Sequence, residues 1–301
     1  TTPGENEIGN PFDETQPGIP VIVKPTTNKE VEKKGHVDRP FNPNEITWTV
    51  DINKGMNALT NAKVTESFPQ GVNFESVTVY SVEVDFKGNV IDGSEKVVNP
   101  SEYTVGPDGS VTFKGTIKGA YRLEYVTSVD PNSKPANGVG GEVTFKNTVN
   151  LSANELPKPI PAESTIVGKY KPALEKEKPS YDPSKQQFTW TVHYNHDENV
   201  IPLGSGKLDD RFEGNMTFVD GSVVVKQMAI DGKGTATEVG RLVENVDYKI
   251  KPDADDKGIH IEFLRKIDYA VTIEYKTQIQ DEVIGSVPYK NTIVDGSGHT
   301  S

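Results

Sequence analysis

The sequence contains no cysteine, no long apolar run and no excess of basic residues. Without cysteine no disulfide can form, so the chain is either cytosolic or an exported protein that is stabilised by other means. The net charge is −12, from 32 basic and 44 acidic residues. This balance argues against nucleic acid or an anionic membrane as a partner, because both attract clustered Lys and Arg. Since no apolar run approaches the length of a membrane span, we expect no membrane insertion.

The sequence also lacks the residues of a turnover enzyme or a metal site. There is no recognisable nucleophile motif, and the five histidines are not clustered. His193 and His196 are three residues apart, which on a strand predicts opposite faces. The segment 253–258 resembles the start of a calcium loop, but Lys257 occupies a ligand position and the closing Glu is missing. We therefore predict no enzyme activity with turnover, no cofactor and no metal.

The chain contains the same pattern twice. Thr47–Val50 reads Thr-Trp-Thr-Val and recurs as Thr189–Val192, an offset of 142 (189 minus 47). Val31-Glu32-Lys33 likewise matches Leu174-Glu175-Lys176. Repeats of this length indicate tandem domains, since solenoid units are far shorter. The 301 residues agree with two domains, each long enough to bury its own core.

Almost every segment outside the polar stretches has the pattern of a strand. Ile46, Trp48 and Val50 alternate with polar residues, as expected for a half-buried strand. Residues 103–105 and 111–113 flank a Gly-Pro-Asp-Gly turn and predict a hairpin. No segment has the period of a long helix. The predicted fold is all-β, with two tandem immunoglobulin-like β-sandwich domains joined by a Pro-rich connector.

Composition sets the predicted domain boundaries. Residues 1–20 are predicted to be a flexible leader, 21–153 the first domain, 154–163 the Pro-rich connector and 164–301 the second domain. Both ends of the chain are polar, so we expect the sequence to be part of a longer protein.

Three polar residues recur in register in the two copies: Lys33, Glu66 and Asn147 in the first, and Lys176, Asp210 and Asn291 in the second. Strand alternation places each Lys and each Asn on the same face as apolar neighbours, so all four side chains are predicted to point inward. A buried charged lysine needs a carboxylate partner or loses its proton. Glu66 and Asp210 are the predicted partners.

This pattern resembles the domains of Gram-positive cell-wall adhesins, in particular the collagen-adhesin family. The resemblance rests on the early Lys, the Thr-Trp-Thr-Val strand, the acid two residues before Phe68 or Phe212, and the late Asn. It covers roughly residues 21–150 and 164–295. The first copy departs from the more usual pattern because it has Glu66 in place of Asp.

The resemblance implies spontaneous isopeptide bonds between Lys33 and Asn147 and between Lys176 and Asn291. Glu66 and Asp210 are then the catalytic acids, which relay protons in a single-turnover reaction. The competing interpretation is a buried salt bridge that does not react. Because strand register can slip by a residue, Lys34, Lys178 and Asp209 are alternative candidates.

The resemblance further implies an adhesive region on the outside of the cell, with a cell-wall anchor outside this sequence. The implied partner is collagen or another extracellular-matrix protein. The alternatives are stalk modules without a ligand, or a pilus subunit, that project another adhesive domain. We expect the chain to be a monomer.

Overall fold

The computed structural model describes residues 3–8, 19–135, 138–280 and 288–301, and within it regular structure is almost entirely β. The strands of the first half are β1 Gly4–Ile8, β2 Ile19–Val23, β3 Val31–Val37, β4 Glu45–Ile52, β5 Leu59–Thr60, β6 Lys63–Ser67, β7 Val72–Val82, β8 Lys96–Val97, β9 Tyr103–Val105, β10 Val111–Phe113, β11 Thr116–Ile117, β12 Ala120–Val129, β13 Gly141–Ser152 and β14 Ile160–Tyr170. Those of the second half are β15 Leu174–Lys176, β16 Ser180–Asp182, β17 Gln187–Tyr194, β18 Lys207–Glu213, β19 Met216–Phe218, β20 Val224–Ile230, β21 Ala236–Arg241, β22 Tyr248–Pro252, β23 Gly258–Phe263, β24 Ala270–Ile279 and β25 Lys290–Asp295. The helical segments of the described residues are two short 3-10 turns, Pro100–Glu102 and Pro131–Ser133. None of these segments can span a membrane.

The chain divides into two compact units. The first comprises Thr1–Asp38, Pro43–Ser133 and Thr144–Val167, and the second comprises Arg39–Asn42, Lys134–Val143 and Gly168–Ser301. The predicted leader lies largely outside the described residues, and where it is described β1 pairs with β2. Strand β14 begins inside the segment predicted to be a connector. The predicted domain boundaries stay a prediction.

The first unit is a sandwich of two five-stranded sheets. One sheet has the strand order β3-β4-β12-β7-β8 and the other has the order β14-β13-β6-β10-β9. Ile46, Trp48 and Val50 of β4 are fully buried, as their alternation with polar residues predicts. The predicted hairpin is confirmed, since β9 pairs with β10 around Gly109, whose φ of +78° suits glycine.

The second unit repeats this architecture. Its larger sheet has the order β15-β17-β24-β20-β21, with β16 and β19 pairing at the sides, and the other sheet has the order β22-β23-β18-β25. The core draws apolar residues from both sheets, among them Trp190, Tyr275, Leu208 and Phe263. The all-β prediction of two tandem sandwiches is therefore confirmed.

The chain leaves each Trp-containing strand through an asparagine in the left-handed region. Asn53 follows β4 with φ 52°, and Asn195 follows β17 with φ 57°. The Asn53 side-chain amide donates to the carbonyls of Asn57 and Gly119 at 2.9 Å, and Asn195 makes the matching pair of bonds in the second unit. Asparagine tolerates this backbone conformation, so the two units use the same turn at equivalent places.

Candidate functional site

Lys33 lies in β3 on the inner face of its sheet. Val31 and Lys33 are both buried, in keeping with the two-residue period of a strand, and the Lys33 side chain is 0% exposed. Two residues later Gly35 pairs with Trp48, and a Cβ at Gly35 would lie only 2.7 Å from the indole ring. The glycine thus allows the indole to pack against β3 next to the lysine.

Glu66 lies in β6 of the opposite sheet and meets this lysine inside the sandwich. Both carboxylate oxygens accept hydrogen bonds from Lys33 Nζ at 2.8 Å, and the Glu66 side chain is 0% exposed. Because water is excluded from the pair, burial raises the pKa of Glu66 and lowers the pKa of Lys33, and their mutual attraction opposes both shifts. Both shifts favour transfer of a proton from the ammonium to the carboxylate.

Asn147 completes the first site from β13, which pairs with β6. Val149 is the register partner of Glu66, so Asn147 lies two residues away on the same face of the sheet. The residue is 0% exposed, and neither amide atom has a hydrogen-bond partner of normal geometry among the described residues. The amide is nevertheless close enough to Glu66 to lower the pKa of the carboxyl, as the weakest of the influences on it.

Two aromatic rings surround the first lysine. Lys33 Nζ lies 5.4 Å from the centre of the Trp48 ring and 5.9 Å from that of Tyr125, within the range of a cation–π contact. The indole N–H donates to Thr127 Oγ1 at 3.2 Å. The Tyr125 hydroxyl is buried and has no hydrogen-bond partner among the residues that the structure describes.

The second unit brings together the equivalent residues. Lys176 of β15 donates from Nζ to the two oxygens of Asp210 of β18 at 2.9 and 3.0 Å, and the side chains are 5% and 1% exposed. Burial lowers the pKa of Lys176 to about 8 and raises the pKa of Asp210. Nζ lies 5.4 Å from the Trp190 ring centre and 5.8 Å from that of Tyr275.

Asn291 of β25 is held differently from its counterpart. Its Nδ2 donates to the Tyr275 hydroxyl at 2.7 Å, and that hydroxyl donates to Asp210 Oδ2. The amide oxygen is buried and has no partner within the described parts of the chain. The second site is therefore a connected group of lysine, aspartate, tyrosine and asparagine.

The alternative residues from a slipped register lie outside the two sites. The side chain of Lys34 is 70% exposed and that of Asp209 is 66% exposed, and Lys178 is also exposed. The structure thus brings each predicted lysine into contact with its predicted acid inside the sandwich, with the predicted asparagine on the strand beside the acid.

Sequence reasoning missed the two tyrosines and the two threonines. Tyr125 and Thr127 on β12 correspond to Tyr275 and Thr277 on β24, and Thr277 accepts from the Trp190 indole at 2.9 Å. The signal was present, because both strands contain Glu-Tyr-x-Thr in register with the Trp strand.

One prediction about the histidines was wrong. The rings of His193 and His196 do not lie on opposite faces, since their centres are only 4.5 Å apart. The strand ends at Tyr194, and the positive φ of Asn195 turns the chain so that His196 folds back. The described residues contain no group of three or more His, Cys, Asp or Glu arranged to hold a metal ion.

The calcium-like segment 253–258 forms ion pairs instead. Arg211 contacts Asp255 at 2.8 Å and also pairs with Asp253, while His260 bonds to the other oxygen of Asp253 at 2.7 Å. The segment is the tip of the β22–β23 hairpin, whose strands pair in register. The carboxylates of Asp253 and Asp255 are thus engaged by basic side chains.

Comparison with solved structures finds similar proteins at low identity. The C-terminal domain of the Streptococcus agalactiae AgI/II polypeptide BspA is 13% identical, with 90% of this chain and 97% of that one covered and a TM-score of 0.35. The collagen-binding domain of the Erysipelothrix rhusiopathiae surface protein RspB is 14% identical, with 89% and 88% covered and a TM-score of 0.30. The collagen-binding subdomain ACE19 of the Enterococcus faecalis surface protein ACE is 13% identical, with 47% and 96% covered and a TM-score of 0.28. These values are too low to carry an argument.

The family assignment rests on sequence. A comparison with curated proteins finds no match. The family model described as "Collagen binding domain" matches the chain twice, over residues 28–159 and 172–297, which together make up most of its length. Each match contains one complete set of lysine, acid and asparagine. The resemblance predicted from the repeated motifs is confirmed, and the chain belongs to the collagen-binding domain family, with two tandem domains of that family.

Proposed function

We propose that each unit forms one isopeptide bond by itself, between Lys33 and Asn147 in the first and between Lys176 and Asn291 in the second. The observation that carries this proposal is a lysine–carboxylate pair inside the sandwich, with side chains at most 5% exposed, beside an amide that has at least one buried polar atom without a partner among the described residues; both units contain it. Glu66 and Asp210 serve as the proton carriers.

The chemistry follows from burial. Desolvation favours the neutral forms of both partners, so the carboxylate takes a proton from the ammonium and leaves an amine with a free electron pair. The amine attacks the side-chain carbonyl carbon of the asparagine, and ammonia departs after the acid returns a proton. Folding holds the reacting groups in position, so the entropy cost of bringing them together is already met before the reaction. This lowers the activation free energy by several kcal/mol, about 7 kcal/mol in favourable cases.

An unreacted salt bridge would account for the lysine–acid contact but not for the buried asparagine beside it. A buried polar atom without a hydrogen bond costs about 1–3 kcal/mol. Among the described residues, Asn147 has two such atoms and Asn291 has one. A structural role would require the amide to be satisfied or replaced by an apolar side chain. A reacting amide needs an accessible carbonyl carbon, so its weak engagement supports the isopeptide.

The bond joins the two sheets of a sandwich covalently. Lys33 lies in β3 of one sheet and Asn147 in β13 of the other, and Lys176 and Asn291 are divided in the same way between β15 and β25. By analogy with a disulfide that closes a loop of similar length, each bond stabilises its unit by about 4–5 kcal/mol. It thus takes the place of the disulfides that a chain without cysteine cannot form.

Intact-protein mass measurement of two acid variants tests the assignment. Glu66→Ala is expected to regain the mass of one ammonia, and Asp210→Ala that of the other, while each variant keeps the remaining bond. The matched controls are Glu32→Ala and Asp209→Ala, which change carboxylates near the first and second sites that do not contact the reacting lysines. If both acid variants still had a mass two ammonia molecules below that of their sequences, the proposed roles of Glu66 and Asp210 would be overturned.

We further propose that the tandem pair is an adhesive region of a Gram-positive surface protein, exposed outside the cell, and that it binds collagen or another extracellular-matrix protein. The double match to the collagen-binding domain family supports this proposal. Saturable binding of the tandem pair to immobilised triple-helical collagen is the expected result. Absence of saturable binding to collagen and to other matrix proteins would favour stalk modules.

A further inference from the structure

The hydroxyl of Tyr275 lies between the acid and the amide of the second site. It donates to Asp210 Oδ2 and accepts a hydrogen bond from Asn291 Nδ2 at 2.7 Å. The tyrosine is only 1% exposed, so no water competes for these bonds. The nitrogen that would leave as ammonia is therefore the atom that the tyrosine holds.

The direction of these bonds follows from the proton count. A phenol has one proton, which goes to the carboxylate, and its oxygen is then only an acceptor. The amide must consequently turn its N–H, and not its carbonyl oxygen, toward the tyrosine. This orientation leaves Asn291 Oδ1 without a partner, as observed, and fixes which side of the amide faces Asp210.

We propose that Tyr275 is a catalytic residue that passes a proton from Asp210 to the departing nitrogen of Asn291. This inference rests on the proposed isopeptide bond and adds a residue to it. Burial raises the pKa of Tyr275 well above its usual range, so the phenol remains protonated and acts as a neutral relay between acid and leaving group.

The atoms and protons balance without any other reactant. The Lys176 ammonium has three protons and must lose two of them to become an amide N–H. One moves to Asp210 before attack, and the bond from Nζ to the Asn291 Cγ then forms. Asp210 gives its proton to the Tyr275 oxygen while Tyr275 gives its own to Nδ2, and the Cγ–Nδ2 bond breaks to release ammonia. The second ammonium proton then moves to Asp210, so the carboxyl ends the reaction protonated.

The first unit has the same tyrosine but does not use it. The Tyr125 hydroxyl has no hydrogen-bond partner among the described residues, and Asn147 lies beside Glu66 without an intermediary. Glutamate has one more methylene than aspartate, so its carboxyl extends further from the strand. We infer that Glu66 protonates its leaving group directly, whereas Asp210 requires the tyrosine.

The test compares Tyr275→Phe with the matched control Tyr125→Phe. Each chain is made in a short cell-free synthesis, and bond formation is then followed by intact mass and by the cross-linked peptides. Tyr275→Phe is expected to lower the rate of Lys176–Asn291 bond formation by at least about tenfold. This is a conservative figure, since general acid catalysis usually contributes a larger factor. Tyr125→Phe is expected to leave the Lys33–Asn147 bond at its wild-type rate. Equal rates in wild type and Tyr275→Phe would overturn the proposal.

Rescue separates a proton relay from a purely structural role. Adding Asp210→Glu to Tyr275→Phe gives the second unit the arrangement of the first, and the bond is expected to recover most of its rate. If Tyr275 were needed only for packing, a longer acid on another strand could not restore the rate of bond formation. Recovery of the rate therefore supports the relay, and failure to recover contradicts it.

Two further results keep the outcomes distinct. If wild type lacks the ammonia deficit, the isopeptide proposal itself fails, whatever the tyrosine variants do. If Tyr275→Phe does not fold, the relay can still be tested on wild type. The protein is synthesised in D₂O and returned to H₂O before its intact mass is measured, which gives the rate of bond formation in D₂O. The relay moves two protons together in the second unit, so its bond is expected to slow more in D₂O than that of the first unit. Equal slowing would contradict the relay.

Discussion

In the first unit the acid beside the buried lysine is a glutamate, and in the second it is an aspartate. Both carboxylates contact Nζ through two oxygens at 2.8–3.0 Å, and both pairs are shielded by a tryptophan and a tyrosine. What differs is the next contact, since Tyr275 joins Asp210 to Asn291, while the Tyr125 hydroxyl has no hydrogen-bond partner within the described residues. One methylene in the acid thus changes how the amide is held.

Two residues at equivalent positions of the repeat can make different hydrogen bonds. The two tyrosines occupy the same place opposite the repeated tryptophan, at Trp48–Tyr125 and Trp190–Tyr275. The tyrosine hydroxyl bonds to the acid in the second unit, where the acid is an aspartate, and has no partner among the described residues in the first. The lysine–acid pair is therefore the constant part of the two sites, and the link from acid to amide is the variable part.

Removal of the lysine is expected to have the largest effect. Lys33→Met or Lys176→Met prevents one bond and leaves a buried carboxyl without its cation, so the free energy of unfolding of that unit is expected to fall by about 5 kcal/mol. Denaturant titration together with intact mass measures the loss. The matched controls, Lys34→Met and Lys178→Met, alter exposed neighbours and are expected to keep both bonds. Loss of a bond in either control would show that the wrong lysine was identified.

A pH effect of intermediate size is expected when the bond cannot form. In Asn291→Ala the Lys176 amine remains free, with its pKa lowered from 10.5 to about 8 by burial. A depressed pKa means that the stability linked to this group is fully present above pH 10.5 and is lost as the pH falls through about 8. The free energy of unfolding is therefore expected to rise by about 3 kcal/mol between these two pH values.

The control for this titration is Asn291→Ala combined with Lys176→Met, which keeps Asp210 but has no amine. Denaturant midpoints of the two variants, compared at each pH, isolate the lysine from other groups that ionise in the same range. If the difference between them does not change with pH, Lys176 does not have the depressed pKa on which the mechanism depends.

The smallest effect is expected from the tyrosines as contributors to stability. Tyr125→Phe removes a buried hydroxyl that has no partner in the described parts of the chain, so it is expected to change the free energy of unfolding by less than about 1 kcal/mol, or to raise it. Tyr275→Phe removes two hydrogen bonds and is expected to cost about 1–3 kcal/mol. Measurements in the Lys33→Met and Lys176→Met backgrounds separate this cost from that of a missing isopeptide bond, because these backgrounds keep both hydrogen-bond partners of Tyr275. Equal costs at the two positions would show that the hydroxyls are in equivalent surroundings.

The constant part of the sites is also the part that the sequence predicts. Strand alternation predicted inner faces for Lys33 and Asn147, which are buried, and the repeat paired each lysine with the acid that it contacts, because the two-residue period of a strand leaves little freedom. The same alternation failed at His196, where the positive φ of Asn195 ends the regular pattern. Period arguments hold only as far as the strand continues.

The variable part was not accessible to the same reasoning. Tyr125 and Tyr275 both lie in a Glu-Tyr-x-Thr segment, yet the Tyr275 hydroxyl makes two hydrogen bonds and that of Tyr125 makes none to the residues that the structure describes. That difference arises from the reach of an acid on the opposite sheet, which a pattern along one strand does not contain. Family membership was predictable because the repeated motifs carry it, whereas the contact network required coordinates.

The most direct test of the self-formed cross-links is the intact mass of the unaltered chain in strong denaturant. Two isopeptide bonds remove two molecules of ammonia, so the measured mass is expected to fall below that of the sequence by this amount and to remain there on unfolding. Digestion should then yield one peptide that joins Lys33 to Asn147 and another that joins Lys176 to Asn291. A mass equal to that of the full sequence would contradict the account, since both lysine–acid pairs would then be ordinary buried salt bridges.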